Sequence, residues 1–125
     1  MKEQAWIEEV VEKIKKKELA VVARNAHKIP SKSLNGTFND LTGQNHCWWT
    51  NGFWGGILWQ MYHATGEELY REAAEELEAK LDDNLMNAEK MDHDSGFKWL
   101  PTAIVNYKLH GGQKSRNRGL LAADN

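Results

Sequence analysis

Apolar positions recur along this chain at helical spacing and fall into a long leading helix followed by two helical hairpins. From residue 3 to about residue 22, Trp6, Ile7, Val10, Val11 and Ile14 share one face, with Glu3, Glu8, Lys13 and Lys17 elsewhere. This spacing predicts an amphipathic helix with Trp6 packed in a core and the run Lys15-Lys16-Lys17 on a solvated face. A second helix opens at Gly52-Phe53-Trp54, carries Ile57, Leu58, Met61 and Tyr62, with Trp59 in the core, and stops at Gly66. Its partner starts at Glu67 and presents Leu69, Tyr70, Ala73, Ala74, Leu77 and Leu81 as an apolar stripe. About 44 residues on, the pattern returns: Gly96-Phe97 opens a helix with Leu100, Ala103, Ile104 and Tyr107 that stops at Gly111-Gly112, and Gln113 to Asp124 begins its partner. Glycine past each helix end and Glu67-Glu68 in the following first turn mark helical hairpins. Gly96 reads as a tight turn ahead of its helix, and Pro101 as a first-turn residue whose missing N–H costs nothing. Hairpins repeated at this period predict an all-α array, either a solenoid or a closed toroid of helix pairs.

Residues 27–50, rich in Pro, Ser, Asn, Gly and Thr, form a long irregular connection of the kind that is functional or mobile in compact domains. Five of the six tryptophans lie between Trp48 and Trp99, and Trp48 and Trp49 fall in this polar loop. A loop tryptophan near a carboxylate serves either as a stacking platform or as a core plug, and for Trp49 both readings stand. In both repeats the Gly-Phe opening follows a polar loop, which places the two loops at one end of the array with Trp49 and Asp94 facing one site.

Composition narrows the class. A chain of 125 residues supports at most one domain. Its net charge of -2 argues against nucleic acid or an anionic membrane as main partner. No segment approaches the roughly 18 consecutive apolar residues of a membrane span. The start, Met1-Lys2-Glu3-Gln4-Ala5-Trp6, lacks an apolar export core, and the single cysteine, Cys47, suits a reducing cytoplasm.

The densest chemistry lies in Met91-Asp92-His93-Asp94-Ser95-Gly96-Phe97-Lys98-Trp99-Leu100-Pro101. Two carboxylates flank an imidazole, and an aromatic wall follows, which is the composition of a sugar-processing site. Asp94 is a candidate catalytic carboxylate, with capping of the backbone N–H groups ahead of Phe97 as the competing role. Asp92 reads as a solvated turn residue. His46, His63 and His110 show no spacing of a metal-ligand set, and no histidine is evidently a base for Cys47. Lys114, Arg116 and Arg118 read as a helix surface.

The segments Trp49-Thr50-Asn51-Gly52-Phe53-Trp54-Gly55-Gly56-Ile57-Leu58-Trp59, Ala64-Thr65-Gly66 and Asp92 to Pro101 resemble the unsaturated glucuronyl hydrolases of glycoside hydrolase family 88. The resemblance runs from about residue 45 to the C-terminus with order and spacing kept. It implies an (α/α)6 barrel, a cytoplasmic enzyme without metal or cofactor, and a substrate in which a polysaccharide lyase has left an unsaturated uronic acid at the non-reducing end. It further implies an unusual chemistry, in which a carboxylic acid protonates the C4=C5 vinyl ether, water adds at C5, and the hemiketal breaks down to release the leaving sugar. By resemblance, Asp94 matches the aspartate that contacts the sugar and supports developing positive charge. Trp49 and His93 are the candidate substrate-binding residues. The general acid and base belongs to a later helix pair and is expected beyond residue 125. Residues 1–125 are therefore expected to be one incomplete barrel domain, the N-terminal portion of such an enzyme, inactive alone and prone to self-association through an exposed barrel edge. The apolar run Leu120-Leu121-Ala122-Ala123, which stops without a partner, agrees with that expectation. The alternative is a helical-repeat module that binds a glycan or peptide through its aromatic loop without catalysis.

Overall fold

The computed structural model describes residues 2–87 and 90–124. Among the described residues there are seven α-helices: α1 (Lys2–Asn25), α2 (Phe53–Thr65), α3 (Glu68–Lys80), α4 (Asp82–Leu85), α5 (Ser95–Trp99), α6 (Val105–His110) and α7 (Gln113–Ala123). A 3-10 turn, Trp49–Gly52, leads into α2, and a π-helical turn, Leu100–Ile104, joins α5 to α6. The structure is mostly helical.

Among the described residues, the expectation of an all-α chain fails at one place. Ser33–Leu34 (β1) and Thr37–Phe38 (β2) pair antiparallel, with Ser33 opposite Phe38 and Leu34 opposite Thr37. Their turn is Asn35-Gly36, both at positive φ, a pairing whose twist suits a two-residue hairpin. Phe38 then packs edge-on against Trp54, with ring centroids 5.7 Å apart, and so pins the long connection to the core.

The core lies between α2, α3 and the α5–α6 rod, and gathers Trp54, Leu58, Trp59, Tyr70, Ala74, Leu77, Leu81, Trp99 and Ala103, with Val22 and Ile29 at its edge. Two glycines let the helices approach closely. A Cβ on Gly55 would stand 2.7 Å from Thr102 Cγ2, and one on Gly56 would stand 2.8 Å from Pro101 Cβ. Both hairpins end as their sequences predict. Gly66 and Gly111 each take φ 72°, and their N–H groups donate to the Tyr62 and Tyr107 carbonyls at 2.7 Å.

Four further expectations need correction. Trp6 is not in the core: it is 64% exposed, and Ile7, Val11, Ile14 and Leu19 are exposed with it. Periodicity identifies a helix face but not what covers it, and α1 buries only Val21, Val22 and Asn25 in its last turn. Gly96 is not a turn glycine but lies inside α5, and the turn falls at His93-Asp94. Pro101 consequently lies beyond the first turn, within the π-helical turn. There the widened backbone accommodates a ring that would crowd an α-helix, and Thr102 Oγ1 donates to the Lys98 carbonyl at 2.6 Å. Arg118 does not lie on a free surface. It forks onto Asp82 through two bonds of 2.6 Å and reaches the fully buried Glu78 at 2.9 Å, while Asn106 and Ser115 donate to the same Glu78 carboxylate at 2.8 and 2.6 Å. The hydrogen bonds from Arg118 to Asp82 drive its guanidinium pKa still higher, against the cost of burial. Lys114 and Arg116 are exposed, as expected.

Candidate functional site

Two turns meet at the N-terminal ends of α2 and α5. The first is built by short-range bonds: Trp48 N–H donates to the Asn45 carbonyl at 3.3 Å, Asn51 N–H to the Trp48 carbonyl at 3.1 Å, and the buried Asn51 side chain to the Asn45 carbonyl at 2.9 Å. These bonds leave Trp48 and Trp49 on the outside, 43% and 39% exposed. The second turn is organised by Asp92, whose carboxylate accepts the Asp94 N–H at 3.0 Å and whose carbonyl accepts the Ser95 N–H at 3.0 Å. Asp92 is thus the turn-forming carboxylate, exposed as its sequence context suggested.

Asp94 occupies the N-cap position of α5, yet its side chain makes no capping hydrogen bond. Its backbone serves the turn instead, the N–H donating to Asp92 and the carbonyl accepting the Phe97 N–H at 3.0 Å. The carboxylate is 29% exposed and lies 3.6 Å from His93 Nε2, whose ring is almost wholly in solvent. A carboxylate released from capping, with an imidazole beside it, is available to a ligand.

Trp49 is neither a core plug nor an isolated platform. It forms an edge-to-face triangle with Phe53 at 5.4 Å and Phe97 at 5.8 Å, and those two rings stand 6.1 Å apart. Phe97 lies three residues after Asp94, so the structure brings the aromatic turn onto the helix that starts at the acidic turn. Below the triangle runs an apolar groove of about 590 Å³ lined by Phe53, Gly56, Ile57, Gln60, Phe97, Leu100 and their neighbours.

Lys98 is the site residue that sequence reasoning misses. Its side chain is fully buried, and its Nζ donates to the Cys47 carbonyl at 3.2 Å and stands 3.9 Å from the Asp92 carboxylate. A signal was present, since Lys98 is a lone charge between Phe97 and Trp99. The contact is tight on the backbone side too: a Cβ on Gly52 would fall 2.6 Å from both Lys98 Cα and the Phe97 carbonyl oxygen. Cys47 is a half-buried free thiol. Among the described residues, no helix is long and apolar enough to cross a membrane.

The helical scaffold thus sets the Asp94 carboxylate, beside His93, at the start of the helix whose Phe97 packs edge-on with Trp49 and lines an apolar groove. Comparison with known proteins finds homologues. The chain is 34% identical over 109 residues to the unsaturated glucuronyl hydrolase of Bacillus sp. strain GL1, a match covering 85% of this chain and 29% of that protein. It is 34% identical over 77 residues to the unsaturated chondroitin disaccharide hydrolase of Streptococcus pneumoniae, covering 61% of this chain and 19% of that one. Its backbone superposes with a TM-score of 0.68 on the crystal structure of the Bacillus sp. GL1 hydrolase, at 35% identity over 85% of this chain and 29% of the other. A solved complex of a hydrolase variant with dGlcA-Glc-Rha-Glc matches with the same TM-score at 34% identity. No family model matches. Over 85% of its length the chain is a homologue of the unsaturated glucuronyl hydrolases, and it spans about three tenths of the length of the Bacillus relative.

Proposed function

We propose that this chain supplies part of a site that removes the 4,5-unsaturated uronic acid from the non-reducing end of lyase-generated oligosaccharides. One observation carries the reading: the Asp94 carboxylate stands at the N-cap of α5 without a capping bond, on the helix whose Phe97 packs edge-on with Trp49. The names of the relatives and the tetrasaccharide held by a solved one support the substrate class.

In this reading a carboxylic acid outside these 125 residues gives its proton to C4 of the C4=C5 vinyl ether. Positive charge develops across C5 and the ring oxygen, and Asp94 stabilises it as a fixed anion. Water adds at C5 and returns a proton to the acid's conjugate base. The hemiketal opens, the uncovered C1 hemiacetal collapses, and the leaving sugar departs with a hydroxyl. Trp49 offers a ring face for the sugar, and His93 is the polar neighbour that binds beside Asp94. Every step uses acid–base groups and water, and no cofactor is called for. We take residues 1–125 as one incomplete domain of an (α/α)6 barrel in a cytoplasmic enzyme. The superposition on a structure of which this chain covers 29% supports the barrel, and the lone thiol of Cys47 suits that compartment.

The test is the ultraviolet absorbance of the C4=C5 double bond in an unsaturated uronyl disaccharide. The protein completed with the rest of the barrel consumes it, and the 125-residue chain alone does not. A completed protein that binds the disaccharide without loss of absorbance would establish the non-catalytic binding module instead.

A further inference from the structure

We propose that Lys98 is a positioning residue that locks the aromatic turn to the acidic turn, so that Trp49 and Asp94 face a ligand together. The inference rests on the functional reading above and adds a residue to it. Burying an ammonium group costs several kcal/mol in general, so a position that needed only volume would be served better by leucine or methionine. Lys98 is nevertheless fully buried, one turn into the helix that begins at Asp94. Its charge is spent on two partners. One is the Cys47 carbonyl at 3.2 Å, directly ahead of Trp48 and Trp49. The other is the Asp92 carboxylate at 3.9 Å, through the same Oδ1 that accepts the Asp94 N–H at 3.0 Å. The two turns are therefore tied through a single ammonium group: Cys47 carbonyl, Lys98 Nζ, Asp92 carboxylate, Asp94 backbone. Gly52 allows this because it carries no Cβ where the Lys98 backbone passes.

The experiment uses the 15N-labelled 125-residue chain, with the indole N–H signals of Trp48 and Trp49 as reporters and an unsaturated uronyl disaccharide as probe. Asp92→Asn is introduced into the wild type and into Lys98→Met. With Lys98 present, the substitution shifts the indole signals; with Lys98→Met, it leaves them where they are. Lys98→Arg, which keeps the charge, restores the response. Lys98→Met also weakens the disaccharide about tenfold, the size expected when a charge-assisted bond that orders a site is lost. An equal indole response to Asp92→Asn in both backgrounds would overturn the proposal. Should Lys98→Met unfold the chain, Asp92→Asn decides alone, because Asp92 is an exposed turn residue: indole signals that do not move overturn the linkage. If the disaccharide fails to bind the wild type while the linkage between the turns is present, the functional reading falls and the positioning role stands.

Discussion

Gly52 and Lys98 set how closely the two turns of the site approach. A Cβ at Gly52 would meet Lys98 Cα and the Phe97 carbonyl at 2.6 Å, backbone that cannot move without dragging α5. Gly52→Ala is expected to cost about 1–3 kcal/mol through overpacking. It should also loosen the Trp49–Phe53–Phe97 triangle, read as a lower midpoint in denaturant and a weaker near-ultraviolet signal from the tryptophans. Stability and signal at wild-type levels would show that the turns have slack. At this scale the sequence was informative where chemistry is local. Asp92, His93 and Asp94 share one short turn, in which Asp92 closes the turn as its context suggests and the Asp94 side chain makes no capping bond. It misled where burial depends on distant partners. Trp6 has a core residue's chemistry and an exposed position, and Lys98 has a surface residue's chemistry and no exposure at all. Nothing within a few residues of either reports which helix lies opposite.

Among the elements, the Glu78 carboxylate fastens α3 to α6 and α7 from a fully buried position, with Arg118 as its charged partner. Arg118→Met would leave that carboxylate buried with only neutral donors and strip Asp82 of its fork. The expected loss is about 3 kcal/mol, measured by reversible unfolding; a change near zero would show that water reaches Glu78. The connection after α1 carries its own pH dependence. Burial works to raise the Asp40 carboxyl, but hydrogen bonds from the Thr42 hydroxyl and from the Ile29 and Thr42 N–H groups outweigh it and hold the group below the ordinary carboxylate range. Lys80, and after it His27, hold Glu76 low in the same way. For carboxyls depressed in the folded state, the stabilisation is complete above the unfolded pKa of about 4 and is lost as pH falls through the lower folded value. Exchange of the Ile29 and Thr42 amides is therefore expected to gain on that of α2 below about pH 4, and Asp40→Asn should remove most of the difference. Helix ends were legible because Gly66 and Gly111 are both glycine caps in the left-handed region. The β-hairpin escaped the reading of residues 27–50 as an irregular connection: Asn35-Gly36 marks its turn, but four paired residues within a polar loop give little alternation to detect. The π-helical turn at Pro101 was not legible either, since it depends on where the helix starts, and Ser95 starts it earlier than Gly96 suggested.

At the scale of the whole molecule, much apolar surface faces outward. Trp6, Ile7, Val11, Ile14 and Leu19 line α1, while Phe53, Ile57, Phe97 and Leu100 border the groove. Patches of this extent drive association. Sedimentation of the 125-residue chain is expected to show concentration-dependent self-association that Ile14→Lys reduces, and a stable monomer at high concentration would contradict this. The hairpin array could be inferred from the 44-residue return of the Gly-Phe opening. Closure into a barrel has no such signature, because it depends on how helix pairs meet in space and not on their spacing in the sequence. The most direct check of the functional reading is turnover of an unsaturated uronyl disaccharide by the completed protein and by its Asp94→Asn variant, followed by loss of C4=C5 absorbance. The variant should keep its fold and lose about 10²–10³-fold in kcat, the range for removing one fixed stabiliser of transition-state charge. An Asp94→Asn enzyme that turns over at the parent rate would return Asp94 to the role of an ordinary turn residue.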